Sequence, residues 1–426
     1  MSRIRRIFTR QKRKVLVYGL VFLVVGIKFV GHWLHPNLTL LTETHKCPAC
    51  YGLSACDAVN NRIKVKHISV LALFSNLFGI KNVYYGEDEG REVVLKKLAH
   101  TWELEAFDEM LCSQPNLRYL CTQSSQSNEN SVINVEDNLY ANIINEVTYF
   151  AVNTDSGKFG LLVCPHSDNT ERLFHSVFEN GLNEENSTFH VHLWTLIKIN
   201  PEPIILQILR AEDGWPVPKY LGACGRLIVE EYIGLPLISF YNEDWIRRAS
   251  IASSLLNAVH MLTFRSTEFS FYLTDISPEN IAVNCRDEAK FVDLEDMIIV
   301  DKKISIKDQP KDWKVVEVNK ADPDCDNCFV FSPKEICSHY LSDHNYYALC
   351  KHLLAPETST NFFPGGFLHD IPKQILKKYP ILEYLLRKCA VPDQSYDRIT
   401  FGKQLKELLD TVITEAGTTY RKSEKC

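Results

Sequence analysis

The feature that most constrains this chain is a segment in which two aspartates and an asparagine stand at fixed spacing. Asp275 and Asn280 are five residues apart across a short loop, and Asp293 follows Asp275 by 18 positions. Before the loop, residues 243–264 have the apolar periodicity of an amphipathic helix. After it, residues 280–283 and 290–292 predict two short strands, with Asp293 directly after the second.

The chemistry of these three side chains suits phosphoryl transfer. Carboxylate and amide oxygens are the ligands that Mg²⁺ prefers, and an aspartate can orient a hydroxyl group and accept its proton. The spacing reproduces the catalytic-loop Asp-x4-Asn of protein kinases and the metal-binding aspartate beyond it. We therefore predict Asp275 as the catalytic residue, and Asn280 and Asp293 as metal ligands, with ATP and Mg²⁺ or Mn²⁺ as cofactors. A simple turn between helix and strand is the alternative, but the helix and strands around the loop favour the kinase interpretation.

Further candidates lie upstream of this segment. Lys96 ends a Val-Val-Leu-Lys run that resembles the kinase strand whose lysine pairs with nucleotide phosphates and a helix glutamate. Its predicted glutamate is Glu103, with Glu105 as the fallback. Glu230 and Tyr232 lie in a stretch that resembles the hinge between kinase lobes, where backbone groups meet the adenine. These residues complete the predicted nucleotide site.

The order of predicted elements indicates the fold class. A hairpin at 82–85 and 91–98, a helix at 101–110, strands at 219–223 and 226–233 and the long helix at 243–264 give an α+β outline. Asp343 resembles the buried aspartate that opens a central helix of the large kinase lobe, which is a structural role. We predict a two-lobed protein-kinase-like fold with a cysteine-rich N-terminal segment.

Several parts of an ordinary kinase are missing. No GxGxxG precedes Lys96, and only Gly79 lies where its last glycine would fall. Leu273 and Thr274 stand where the catalytic loop usually has His-Arg, and Glu295 replaces the glycine two residues after the metal aspartate. Nucleotide and metal binding are thus predicted more firmly than catalysis.

The N-terminus indicates the secretory pathway. Seven of the first fourteen residues are Lys or Arg, and residues 15–34 are apolar apart from Lys28 and His32. An uncleaved signal anchor and a cleaved signal peptide both fit this pattern; we favour the anchor, because no small-x-small cleavage site follows. The membrane is therefore a predicted partner through this segment. Asn37 and Asn186 begin glycosylation sequons, which matter only in a lumen.

Fourteen cysteines are spread over the chain. Two clusters carry CxxC pairs, which could bind zinc or act in redox chemistry, but in an oxidising lumen thiols pair as disulfides, and we favour that alternative. The disulfide candidates are Cys47, Cys50, Cys56, Cys325, Cys328 and Cys337. The net charge of −6 does not indicate a nucleic-acid partner, which would call for a basic excess.

The chain resembles the divergent protein kinase domain 2 (Deleted in Autism) family of secretory-pathway kinase-like proteins. The motifs that carry the resemblance are residues 46–50 (KCPAC), 83–85 (VYY), 93–96 (VVLK), 214–216 (GWP), 219–226 (KYLGACGR), 343–347 (DHNYY) and 365–370 (GGFLHD). The resemblance covers nearly all of the lumenal part. It implies residence in the endoplasmic reticulum or Golgi, sometimes with secretion, and a role in extracellular survival signalling.

These observations give a predicted domain plan and two functional hypotheses. The plan is a basic cytosolic N-terminus (1–14), a signal anchor or signal peptide (15–34), a cysteine-containing lumenal stem (35–62), an N-lobe (63–233) with an insertion around 113–200, and a C-lobe (234–426). The first hypothesis is a single-pass type II or secreted kinase that phosphorylates secretory or extracellular proteins. The second is a pseudokinase that acts as a Golgi or secreted binding module, with a cell-surface receptor as its partner.

Overall fold

The structure is a computed structural model. It describes residues 38–66, 82–114, 118–121, 161–165, 172–174, 177, 186–319, 329–355, 363–392 and 397–417. The chain divides into two compact units, of which the first comprises Met1–Asp108 and Leu221–Glu230, and the second Glu109–Tyr220 and Glu231–Cys426. Helices and sheets are mixed in the order that the sequence predicts, so the α+β, two-lobed kinase-like fold is confirmed. The domain boundaries given above stay predictions.

The strands are β1 (Lys64–Val65), β2 (Asn82–Asp88), β3 (Arg91–Lys97), β4 (Leu162–Cys164), β5 (Tyr220–Cys224), β6 (Leu227–Glu231), β7 (Leu235–Pro236), β8 (Phe269–Tyr272), β9 (Ile281–Val283), β10 (Ala289–Phe291), β11 (Ile298–Asp301), β12 (Val316–Glu317) and β13 (Leu341–Ser342). The helices are α1 (Leu38–Thr42), α2 (Thr101–Ser113), α3 (Arg118–Cys121), α4 (Asn186–Ile199), α5 (Glu202–Ile208), α6 (Trp245–Phe264), α7 (Pro333–Cys337), α8 (His344–Leu349), α9 (Lys373–Lys378), α10 (Leu382–Ala390) and α11 (Asp397–Ala416).

The first unit is built on a sheet with the strand order β1-β2-β3-β6-β5. Along β3, Val93 and Leu95 are buried while Val94 and Lys96 are only partly buried. Because side chains alternate between the faces of a strand, Lys96 lies on the face opposite to Leu95. Val93 and Leu95 pack with Ala55, Val59, Ile63, Tyr84, Cys224, Leu227 and Val229 to form the core of this unit.

The second unit is mostly helical, and its small sheets carry the loops of interest. In one sheet β7 and β10 flank β9, and in another β4 and β8 flank β11. The long helix α6 begins after Asp244, whose side chain accepts a hydrogen bond from the Ile246 N–H at 2.8 Å and caps the helix. Its apolar side packs against α8 and α11.

The expectation of disulfide bonds is confirmed. The bonds join Cys47 to Cys50, Cys56 to Cys224, Cys112 to Cys121, Cys164 to Cys337 and Cys350 to Cys389, and Cys285 is also disulfide-bonded. Since a zinc ion needs free thiolates, Cys47 and Cys50 do not form a zinc site in this state. Cys325 and Cys328 lie outside the described residues.

The predicted membrane partner is corrected. Within the part of the chain that the structure describes, no helix combines the length and apolar character needed to cross a bilayer. Residues 15–34, on which the prediction rested, lie outside that part, as do Gly79 and the sequon at Asn37. We therefore withdraw membrane attachment through the apolar segment. Asn186 is the first residue of α4.

Candidate functional site

The predicted catalytic loop links β8 to β9 in the second unit. Pro278–Asn280 forms a single 3₁₀ turn, which directs Asn280 back toward Asp275. The Asn280 Nδ2 donates a hydrogen bond to Asp275 Oδ2 at 2.9 Å, and the Asn280 N–H donates to Ser277 O at 3.1 Å. Asp275 is exposed and Asn280 is partly buried. The loop therefore presents a carboxylate to solvent and fixes it through the amide five residues later.

A β-hairpin brings Asp293 to the same place. In the β9–β10 pair, Ile281 lies opposite Phe291. The ladder continues one step further, because the Val292 N–H donates to Asn280 O at 3.0 Å. Asp293 follows directly, and it lines one pocket together with Asp275. The three residues that the sequence singled out are thus neighbours, although their metal and catalytic roles stay predictions.

The donor set fits a divalent cation that is shared with phosphate. Because Asn280 commits its amide nitrogen to Asp275, its amide oxygen is the atom left to face a ligand. Asp293 supplies a carboxylate beside it. Among the described residues, no three His, Cys, Asp or Glu side chains converge on one point. Mg²⁺ in nucleotide sites usually takes only one or two protein carboxylates, with phosphate and water completing its shell.

Two side chains of α8 hold the strand that leads into the catalytic loop. Asn345 accepts a hydrogen bond from the Leu273 N–H at 3.0 Å and donates to Phe271 O at 2.7 Å and to Thr263 Oγ1 at 2.9 Å. His344 Nε2 contacts Leu273 O at 2.7 Å. Burial lowers the pKa of His344 to about 4, so the ring is neutral and donates Nε2–H to this carbonyl. Sequence analysis missed both residues, although they belong to the DHNYY motif.

Asp343, the predicted structural aspartate, is buried beside them. Its Oδ1 accepts a hydrogen bond from the Asn319 N–H at 2.9 Å, and its Oδ2 pairs with Arg398. Burial raises the pKa of Asp343, while the Arg398 charge opposes that rise. Nearby, Glu317 accepts hydrogen bonds from Asn319 and Ser342, and burial raises the pKa of its carboxyl to about 7. These contacts fix the start of α8.

The segment that carries Asp293 is tied down on two sides. Thr274, which stands in place of the usual kinase arginine, donates its hydroxyl hydrogen bond to Asp296 O. Glu295, which stands in place of the usual glycine, accepts a hydrogen bond from Asn200. Both Glu295 and Asp296 line the pocket that contains Asp275 and Asp293.

In the first unit, Lys96 forms an ion pair with Glu230. The Lys96 Nζ lies 2.9 Å from Glu230 Oε2, and the Glu230 side chain is 2% exposed. The predicted lysine is thus held by the strand that leads into the predicted hinge. Glu103 accepts a hydrogen bond from the His100 N–H at 2.9 Å, at the N-terminus of α2. The nucleotide roles of Lys96, Glu103, Glu230 and Tyr232 stay predictions.

Glu202 is a buried carboxylate that the sequence analysis did not single out. It opens α5, the last α-helix before β5, and it is 2% exposed. Its backbone N–H donates a hydrogen bond to Asn200 Oδ1 at 2.9 Å.

A buried charge network joins two of the family motifs in the first unit. The fully buried Arg226 pairs with Asp108 and Glu43, and it donates two hydrogen bonds to Ala49 O at 3.2 Å. Lys46 also binds Asp108, at 2.7 Å. Burial would raise the pKa of Asp108, but the hydrogen bonds from Arg226 and Lys46 outweigh it and lower that pKa.

The turn before Arg226 requires glycine. Gly225 has φ +61°, and a Cβ there would lie 1.8 Å from Thr42 O. The close approach lets the Arg226 N–H donate to Thr42 O and lets Gly225 O accept from the Tyr51 N–H at 2.8 Å. The KYLGACGR motif therefore contacts both flanks of the KCPAC motif, and Arg226 also donates to Ala49 O within it.

Comparisons with known proteins show which family this chain resembles over most of its length. The family model described as the protein-kinase domain of FAM69 matches residues 193–392. Divergent protein kinase domain 2A of Xenopus tropicalis is 34% identical over 387 residues, which cover 87% of this chain and 88% of the relative. The Homo sapiens protein of that name is 34% identical over 400 residues, 89% of this chain and 90% of the relative. Divergent protein kinase domain 2B of Homo sapiens is 33% identical over 122 residues, 27% of this chain and 28% of the relative. The chain belongs to the divergent protein kinase domain 2 family.

Proposed function

We propose that this chain binds a nucleoside triphosphate together with Mg²⁺ or Mn²⁺ and transfers the terminal phosphoryl group to hydroxyl side chains of secretory or extracellular proteins. One observation carries the proposal: Asn280 bonds to Asp275 through its side chain and to the residue before Asp293 through its backbone. That arrangement assembles the oxygen donors that phosphoryl transfer needs.

Each side chain has a distinct task in this proposal. Asp293 and the Asn280 amide oxygen hold the cation, which when bound offsets the charge that develops on the phosphates. Asp275 is exposed, so it can receive the acceptor hydroxyl, orient it and take its proton. Lys96, fixed by Glu230, binds phosphate oxygens as a point charge.

The proposed helix glutamate is Glu103, with Glu105 as the fallback; both lie on α2. The carboxyl of Glu103 already caps α2 through the His100 N–H. Since the Glu230 side chain is committed to Lys96, the adenine would meet backbone groups near Glu230 and Tyr232.

The proposed location is the lumen of the endoplasmic reticulum or Golgi, with secretion. The disulfides and the family support a secretory route, because disulfides persist in oxidising compartments. Glycans on Asn37 and Asn186 belong to this proposal. Glutamine substitution at each sequon, followed by enzymatic deglycosylation and mobility measurement, tests it; unchanged mobility in every case would contradict it.

Binding is tested by thermal unfolding of the purified chain with ATP and Mg²⁺ or Mn²⁺. At a ligand concentration 100 times Kd, the melting temperature should rise by about 3 °C for a chain of this length. Asp293→Ala should abolish the rise. Asp312→Ala, which removes an exposed carboxylate outside the site, is the matched control and should keep it. No rise for the wild type would remove the proposal.

Transfer is tested separately with Asp275→Asn. The variant should keep nucleotide binding and lose phosphate incorporation into a generic protein acceptor by about 10²–10⁴-fold, because it lacks the base. Equal incorporation by the variant and the wild type would exclude Asp275 as the base.

A pseudokinase is the second candidate function, and Glu295 is the observation that favours it. This residue adds a carboxylate to the pocket that Asp275 and Asp293 line, where kinases have a glycine. A further negative charge there opposes phosphate binding. Nucleotide binding without any Asp275-dependent phosphate incorporation would favour this candidate over the enzyme.

A further inference from the structure

Asn200 joins two parts of the second unit that are distant in sequence. It is 2% exposed and lies between α4 and α5. Its Oδ1 accepts a hydrogen bond from the Glu202 N–H at 2.9 Å, at the start of α5. Its Nδ2 donates to Glu295 Oε2, 95 residues further along the chain. One amide thus connects the start of α5 to the segment that follows Asp293.

Glu295 lies where that connection matters for the site. It is two residues after Asp293, in the short stretch between β10 and β11. The backbone oxygen of the next residue, Asp296, accepts a hydrogen bond from the hydroxyl of Thr274. These two contacts hold the segment that carries Asp293, and the contact from Asn200 comes from the connection between α4 and α5.

We propose that Asn200 is a positioning residue that fixes the Asp293 segment by holding Glu295. The idea rests on the proposed function, because it assigns Asn200 the task of keeping Asp293 in place for metal and nucleotide. It also explains a glutamate where kinases have glycine: the carboxylate accepts the Asn200 amide and anchors the segment. Groups that orient a metal ligand without touching the metal typically change metal affinity by about 10–100-fold when they are removed.

The chemistry of this contact allows a reciprocal test. In Asn200→Asp a carboxylate faces Glu295, so the bond is replaced by repulsion; the contact to the Glu202 N–H is kept, because Asp accepts a helix-start hydrogen bond as well as Asn does. In Glu295→Gln the amide oxygen still accepts from Asn200. In the double variant the new Gln amide donates to the new Asp carboxylate, which restores the bond with its direction reversed.

The first measurement is the apparent Mn²⁺ affinity at saturating ATP by calorimetry. We expect Asn200→Asp to weaken this affinity at least tenfold relative to the wild type. In the presence of Glu295→Gln, which serves as the reference for the double variant, the same Asn200→Asp change should alter the affinity by less than threefold. If Asn200→Asp acted only by destabilising α5, the additional Glu295→Gln change would not restore the affinity for Mn²⁺. Wild-type affinity in Asn200→Asp, or no recovery in the double variant, would overturn the inference.

The second measurement is hydrogen–deuterium exchange of peptides that cover residues 292–298, without ligand. Exchange should speed up at least tenfold in Asn200→Asp and return to the wild-type rate in the double variant. If the wild type binds no Mn²⁺–ATP but this pattern holds, the proposed function fails while the anchoring by Asn200 stands. Unchanged exchange in all variants would refute the anchoring itself.

Discussion

Replacement of Asn345 by alanine should lower the free energy needed to open the backbone around Leu273, directly before the catalytic loop. The side chain is fully buried and makes three hydrogen bonds, to the Leu273 N–H, to Phe271 O and to Thr263 Oγ1. Two of them hold the backbone directly before Asp275. The substitution is small and introduces no charge, so its effect reports the loss of these bonds.

The magnitude follows from what each lost bond leaves behind. The Leu273 N–H is buried and loses its acceptor, which costs about 1–3 kcal/mol. The two other bonds each contribute about 0.5–1.5 kcal/mol. We therefore expect Asn345→Ala to lower the free energy of opening around Leu273 by about 2–6 kcal/mol.

Hydrogen–deuterium exchange of peptides from residues 269–283 measures this opening directly. A loss of about 2–6 kcal/mol corresponds to exchange that is faster by about 30-fold to 10⁴-fold, because each 1.4 kcal/mol is a factor of ten. Asn257→Ala is the matched control: Asn257 is exposed on α6, and its replacement should change exchange little. Exchange in Asn345→Ala within threefold of this control would refute the reasoning.

Three further predictions concern stability. Arg226→Met breaks a buried charge network and should cost about 3–5 kcal/mol in urea unfolding, whereas Arg286→Met, at an exposed pair, should cost under about 1 kcal/mol; equal costs would contradict the network's role. Glu317 has a folded pKa of about 7 against an ordinary value of 4.5, so the stability that its protonated form supplies is complete below pH 4.5 and is lost as the pH rises to 7. Relative to Glu317→Gln, the wild type should lose about 3 kcal/mol over that range, and parallel pH profiles would exclude this. Removing the bond between Cys164 and Cys337 should cost about 2–5 kcal/mol, measured as the shift in urea unfolding of the double serine variant, and no shift would rule out a stabilising role.

Local patterns in the sequence were enough to predict the helices and strands around the site. The predicted hairpin at 82–85 and 91–98 appears as β2 and β3, and the helix predicted over 243–264 appears as α6. The strand–turn–strand after the catalytic loop also appears, and its register follows from the short turn between β9 and β10. These features depend on neighbours a few residues apart, which periodicity and turn residues report well.

Contacts between residues that are far apart in the sequence could not be predicted from periodicity and turn residues. The Lys96–Glu230 pair joins residues on neighbouring strands that are 134 positions apart, and nothing local distinguishes Glu230 from Glu231. The same holds for Asn345, whose three partners lie on α6, on β8 and directly after β8. Such side chains are selected by tertiary geometry, because a buried backbone group needs a donor or acceptor wherever the fold supplies one.

Motifs that identified the family gave no indication of their partners. Residues 46–50 and 219–226 carry no sign in the sequence that they meet, and the structure joins them through Arg226, which donates to Ala49 O. The Cys56–Cys224 bond links the second motif to a cysteine six residues after the first. Disulfide pairing depends on Cα separation in the fold, which spacing along the chain does not give. The predicted membrane partner was wrong: it rested on a basic stretch followed by an apolar run, and no helix in the described part of the chain is long and apolar enough to cross a bilayer.

The central claim is that Asn280 and Asp293 hold a nucleotide-bound cation. Calorimetric titration of Mn²⁺–ATP into the wild type and into Asp293→Asn tests it most directly, because this substitution keeps the shape of the side chain and removes only its charge. We expect one nucleotide bound per wild-type chain and an affinity at least tenfold weaker in the variant. No binding to the wild type, or equal affinity in both proteins, would contradict it.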